Sequence, residues 1–357
     1  MKFHASLLTL CAALLVASIP AAAATERTPA ESRLAGEVGQ RGWIVTSSRS
    51  EKGDWDLFLM RPDGSARRNL TNTPDTHEMG ARFSPDGKKL LFRRIAKDVK
   101  FAHDNWGAVG ELVIANADGS DPVSYGKPGE FPWAGWSPDG TQLAGLARTG
   151  IEIWDLKTKQ RVRTLPRKGM FEQFFWSPDG QWFTSPADGY GEAWTVVRMN
   201  ATSGDVNVVA KFQNCTPDFF PDSQRIIYSS RPAHQNSESN TALGQTVGQK
   251  PNYGWTQLWM ADGDGTHQAL VYGEDGRHIY GGALSPDGKY VLFTRSLRDG
   301  GMDTGVLNIM RLADAPTIGG ESKSLRQLHP ATKDGPVLVL TPGWEPHWTY
   351  AEIGGRK

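Results

Sequence analysis

Cysteine is nearly absent from this chain of 357 residues: Cys11 and Cys215 are the whole supply. Cys11 falls in an apolar leader, so the rest of the chain holds one thiol and no internal disulfide can staple it. Charge of one sign is missing too. Acidic and basic residues balance at 39 each, with no long run of either. That excludes the basic stripe of a nucleic-acid or anionic-membrane binder. Past the leader no apolar run exceeds ten residues, which is too short for a membrane-spanning helix. Also missing are the G-x-S-x-G nucleophile elbow and the C-x-x-C, H-x-x-x-H and EF-hand spacings.

The leader has the three parts of a secretory signal: Lys2, an apolar stretch over residues 7–19, and small residues at 21–24. The expectation is a signal peptide at 1–24, a lead segment at 25–41 and one folded unit at 42–357. The protein is then exported, periplasmic or secreted, and soluble once processed.

Five near-copies of one phrase occupy that unit. They are Phe83-Ser-Pro-Asp-Gly87, Trp136-Ser-Pro-Asp-Gly140, Trp176-Ser-Pro-Asp-Gly180, Phe219-Phe-Pro-Asp-Ser223 and Leu284-Ser-Pro-Asp-Gly288. Proline presets φ for a turn, Asp suits the next position, and Gly takes the position that needs φ > 0. Each turn is followed by an apolar strand such as Lys89-Leu-Leu-Phe92 or Arg225-Ile-Ile-Tyr228. A third strand comes next, as in Glu111-Leu-Val-Ile-Ala115, then a more polar fourth such as Arg161-Val-Arg-Thr-Leu165. Four short antiparallel strands with turns between them make a propeller blade.

The two ends settle the count. Gly42-Trp-Ile-Val-Thr-Ser47 reads as a second strand without a first, and Glu345-Pro-His-Trp348 as a first strand without a turn. Joined, they complete a sixth blade, with Trp348 standing where Phe83 stands in its own repeat. The predicted fold is all-β: a six-bladed propeller of four-stranded blades, with the closing blade shared by the N- and C-termini. The recurrent aromatics Phe83, Trp136, Trp176, Phe219 and Trp348 are expected in the core. Asp86, Asp139, Asp179, Asp222 and Asp287 are expected to serve the turns.

With Met60-Arg-Pro-Asp-Gly-Ser65 and Arg67-Arg-Asn-Leu-Thr71, these repeats resemble the WD40-like (PD40) propeller repeats of the TolB family. The resemblance covers nearly all of the chain past the leader. It implies a TolB-like propeller and, from the periplasmic TolB component of the Tol–Pal envelope system, a protein or peptide partner in the envelope. TolB also carries an α/β domain before its propeller. Only residues 25–41 occupy that place here, so a propeller without that domain is expected.

Candidate sites follow from the repeat. The first strand of each blade lines the central channel, and polar residues recur early in these stretches: His77, Glu78, Glu130, Glu172, Gln173, Asn214, His278, Tyr280 and Glu345. Imidazole and carboxylate suit a divalent metal or a small polar ligand, but no motif calls for a metal, so no cofactor is expected. Insertions at 96–110, 231–255, 296–305 and 313–322 interrupt the blades. Trp106, Tyr253 and Trp255 within them are candidate partner contacts, since aromatics favour interfaces. The expected function is non-enzymatic binding of a protein or peptide by a monomer. The alternative is a propeller enzyme of the oligogalacturonate-lyase type, or another small-ligand or carbohydrate site at the channel mouth.

Overall fold

A computed structural model describes residues 27–99, 110–126, 129, 133–191, 194–211, 213–231, 256–274, 277–297, 302–315 and 336–354. Six four-stranded antiparallel sheets are arranged as blades in chain order around a ring. Blade one is the shared one. Its inner strand is Trp344–Thr349, and this pairs with Trp43–Arg49, so Ile44 faces Trp348. Blade two begins with Thr76–Phe83, where Phe83 faces Leu90 in the same register. Trp348 is therefore the sixth copy of the repeated large residue. At the seam Gly42 adopts φ +75°, and a Cβ there would lie 2.0 Å from the Thr349 carbonyl oxygen. Only glycine lets the two ends approach so closely.

The turns explain the repeated phrase. In each S-P-D-G copy the Ser hydroxyl donates to Asp Oδ1, as from Ser84 to Asp86 and from Ser137 to Asp139. The same Asp oxygen accepts the backbone N–H two residues on. Gly87, Gly140, Gly180 and Gly288 hold φ between +67° and +74°. The hydroxyl bonds hold Asp86 and Asp139 below the usual carboxylate range. These aspartates are turn residues, as expected.

Packing runs between blades. One apolar cluster joins blades one and two through Trp43, Leu57, Phe83 and Val113. Equivalent clusters join each later pair of neighbours around the ring. Phe83, Phe219 and Trp348 are buried within them, while Trp136 and Trp176 pack on their edges and remain partly exposed. Each blade thus buries the face that its neighbour cannot cover alone.

The lead segment carries a helix, Pro29–Val38, that the repeat pattern did not announce. Thr28 and Glu31 form a capping box around Pro29 in the first turn. Leu34, Ala35 and Val38 enter the cluster shared by blades six and one. Glu37 accepts hydrogen bonds from the Tyr290 hydroxyl and the Arg311 guanidinium. The helix covers the seam where the ring closes.

Candidate functional site

Channel-facing residues are set by a shared irregularity. In blades one, two, five and six the inner strand carries one extra residue relative to its partner. Such a β-bulge breaks the two-residue alternation of the strand. The bulge holds Gly80, Thr216, Gly281 and Glu345 at φ between +48° and +66°, and Gln173 of blade four lies at +42°. For Gln173, Thr216 and Glu345 this region is costly, and strain of that kind gathers at sites. Consecutive residues then line the channel, as in Cys215, Thr216, Pro217 and Asp218.

These residues stitch one blade to the next. Gln173 Oε1 accepts the Thr216 N–H at 2.6 Å, and Thr216 Oγ1 accepts the Gly281 N–H at 3.2 Å. Buried Glu345 meets Arg93 at 3.5 Å, and Arg93 stacks 3.9 Å over Trp133. The stitched walls enclose a cavity of about 840 Å³, counting the part open to solvent. Phe175, Trp194, Trp344 and Tyr280 form apolar stretches of its wall.

Of the five charged residues that line the cavity, Arg82 of blade two and Asp218 of blade five come from opposite blades of the ring. Each stands immediately before its repeat's large residue. Arg82 Nη1 donates to the carbonyls of Ala81, Glu345 and Pro346, each at 3.2 Å. Its guanidinium lies 4.9 Å over the Phe175 ring. Asp218 Oδ1 accepts the Phe219 N–H at 2.8 Å. Burial raises the Asp218 carboxyl to about 6, against the pull of Arg82. His347, near Arg82, accepts the Phe83 N–H at 3.1 Å, and burial with the Arg82 charge lowers its pKa to about 3.

The sequence-derived candidates divide. Glu172, Gln173, Tyr280 and Glu345 line the cavity. Asn214 is buried beside it, and among the described residues neither its Oδ1 nor its Nδ2 has a hydrogen-bond partner. His77 and His278 sit at the outer end of their strands and bridge blades. Their Nδ1 atoms accept the N–H of Trp55 and of Thr256, both at 3.0 Å. Burial lowers the His77 pKa. Glu78 accepts the hydroxyls of Thr73 and Thr76, and burial raises its pKa. Glu130, Trp106, Tyr253 and Trp255 lie outside the described residues. Arg82 and Asp218 were not among the candidates. Their shared position before the large residue was the available signal. Among the described residues no group of three or more His, Cys, Asp or Glu is placed to hold a metal ion.

Ring, bulges and central cavity define a six-bladed β-propeller with a polar central site. Its fold is that of the TolB-like propellers. TolB from Acinetobacter baumannii superposes with a TM-score of 0.58 over 87% of this chain and 67% of that one, at 16% identity. A structure of a nidogen/laminin complex matches with a TM-score of 0.51 over 76% of this chain and 90% of that one, at 10% identity. An oligogalacturonate lyase in complex with manganese reaches a TM-score of 0.41 at 14% identity, over 76% of this chain and 69% of that one. No protein-family model matches the chain, and no curated protein matches it in sequence. At these identities the likeness is one of fold.

Proposed function

We propose that this chain is an exported, non-enzymatic binding module that receives a protein or peptide segment at the mouth of its central cavity. The cavity carries the reading. Phe175 and Trp344 give it apolar wall beside a few placed polar groups, the combination that ligand sites share. Arg231, the first residue of the insertion at 231–255, and Thr256, which follows it, stand at this mouth: Arg231 donates to the Tyr280 hydroxyl at 3.0 Å and to Thr256 Oγ1 at 3.1 Å. Chain inserted there leaves and rejoins the ring beside the cavity, where a partner would meet it. The leader supports export, and the resemblance to TolB-family repeats supports an envelope partner.

Cys215 offers a direct test, because it lines the cavity and is in no disulfide. A bulky maleimide on its sulfur, with the site of modification verified by peptide mapping, is expected to abolish binding of a partner selected from envelope extract or a peptide library. Binding that survives complete modification of Cys215 overturns the reading.

A further inference from the structure

We propose that the cavity is built for a zwitterion, with Arg82 taking the ligand's carboxylate and Asp218 its ammonium group. The inference rests on the reading that this cavity holds a ligand, and names the chemistry that would fill it.

The two side chains face one cavity, yet among the described residues they form no ion pair within 4.0 Å of each other. Arg82 spends Nη1 on three backbone carbonyls, and those bonds with the Phe175 ring fix its plane. Neither Nη2 nor Nε has a hydrogen-bond partner among the described residues. Asp218 gives Oδ1 to the Phe219 N–H, and Oδ2 has no hydrogen-bond partner among the described residues. A surrounded charge is costly unless it is paired and hydrogen-bonded. Here a cation and an anion line one cavity beyond ion-pair distance of each other, each held by its own backbone contacts.

Single-charge ligands fit that space badly. A simple anion at Arg82 meets the field of Asp218, and a simple cation at Asp218 meets that of Arg82. A molecule carrying both charges satisfies both residues and adds no net charge to a site whose other charges, Arg93 and Arg231 against Glu172 and Glu345, already balance. An Arg–carboxylate contact is among the strong charge-assisted hydrogen bonds. Phe175, Trp194 and Trp344 leave apolar wall for a side chain. Free amino acids and short peptides with open ends share this chemistry.

Calorimetric titration of the full chain tests it, with L-leucine and the dipeptide alanyl-leucine as separate probes. The dipeptide is also titrated N-acetylated and C-amidated. Binding by at least one open-ended probe is expected, and which of the two binds separates the sources. Blocking either end should weaken the dipeptide by about tenfold or more, the worth of one charged hydrogen bond. Asp218→Asn should weaken the open dipeptide and leave the acetylated form unchanged. Arg82→Lys should spare only the amidated form. Should Arg82→Lys fail to fold, the near-isosteric Asp218→Asn decides alone. No binding of either probe at millimolar concentration, equal binding of open and blocked forms, or full affinity in Asp218→Asn each overturn the proposal. If the Cys215 adduct still displaces a macromolecular partner in that case, the cavity reading stands and the zwitterion falls.

Discussion

The two ends of the inner strands use polar residues in opposite ways. At the outer end His77 and His278 accept backbone N–H groups from the preceding blade, each from a residue 22 positions earlier in the chain. Glu78 is likewise held by two threonine hydroxyls. These groups satisfy donors that the ring would otherwise bury without partners. Towards the S-P-D-G turns, Arg82 and Asp218 are fixed by the backbone and still have bonding capacity facing the cavity. A polar residue in a repeat therefore marks a site by what it has left over, and its chemical type is a weaker guide.

The largest expected effect lies in the wall between these ends. Arg93 and Glu345 are both buried and meet at 3.5 Å. Removing one member of a buried pair leaves the other charge uncompensated, at a cost of about 3–5 kcal/mol. Glu345→Gln is expected to cost that much in urea unfolding. In an Arg93→Met background the same change should cost far less, because no cation is then stranded. Equal costs in both backgrounds would show that Arg93 and Glu345 are energetically independent.

The ring itself was legible because the S-P-D-G phrase couples a large residue, a turn and a strand at fixed spacing. Trp348, which has no turn after it, still fell into register with Phe83. The lead helix lies outside the repeat pattern although Thr28-Pro-Ala-Glu31 spells a capping box, because the two-residue period that marks the blades carries no helical signal. The cavity was half legible. Glu172, Gln173, Tyr280 and Glu345 were found, and Arg82 and Asp218 were not. Strand alternation predicts which side chains share a face, but the bulges at Gly80 and Thr216 reset that alternation just before Arg82 and Asp218. A bulge is a backbone event, and an ordinary residue such as Thr216 in the left-handed region gives no sequence warning of it.

Acid should separate the two neighbours of Arg82. Asp218 titrates near 6 in the folded chain, above its ordinary 3.8. Between those values the unfolded state has lost the proton and the folded state keeps it, so this residue lowers stability as pH rises from about 4 to 6. His347 titrates near 3 instead of 6.5. From 6.5 down to 3 only the unfolded state takes up its proton, so this residue lowers stability as pH falls. The two slopes oppose each other between pH 4 and 6. Asp218→Asn should expose the histidine slope, with stability rising through that window, and His347→Phe should expose the reverse. Each slope is at most about 1.4 kcal/mol per pH unit, reaching up to about 3 kcal/mol across the window. Arg82 stays charged in this range, so denaturation midpoints against pH, compared between the two variants, read the pair. Parallel slopes in the two variants would place the titration elsewhere.

The histidines supply the smallest effect and the sharpest check on the comparison. His77→Ala and His278→Ala each remove the acceptor of a buried backbone N–H, with an expected cost of about 1–3 kcal/mol. The Trp55 and Thr256 bonds are both 3.0 Å long, so the two costs should be similar. His278 also stacks on Tyr280 at 5.7 Å, so its loss can reach the cavity wall, whereas His77 bonds to the backbone of Trp55 and Lys97, two residues that do not line the cavity. His77→Ala should therefore lower the urea midpoint and leave ligand affinity at its wild-type value. Asp218→Asn should do the opposite, weakening affinity about tenfold or more while stability at neutral pH holds or rises. If His77→Ala instead weakened binding at unchanged stability, the outer end would be part of the site, and the division between structural and spare polar groups would have to be redrawn.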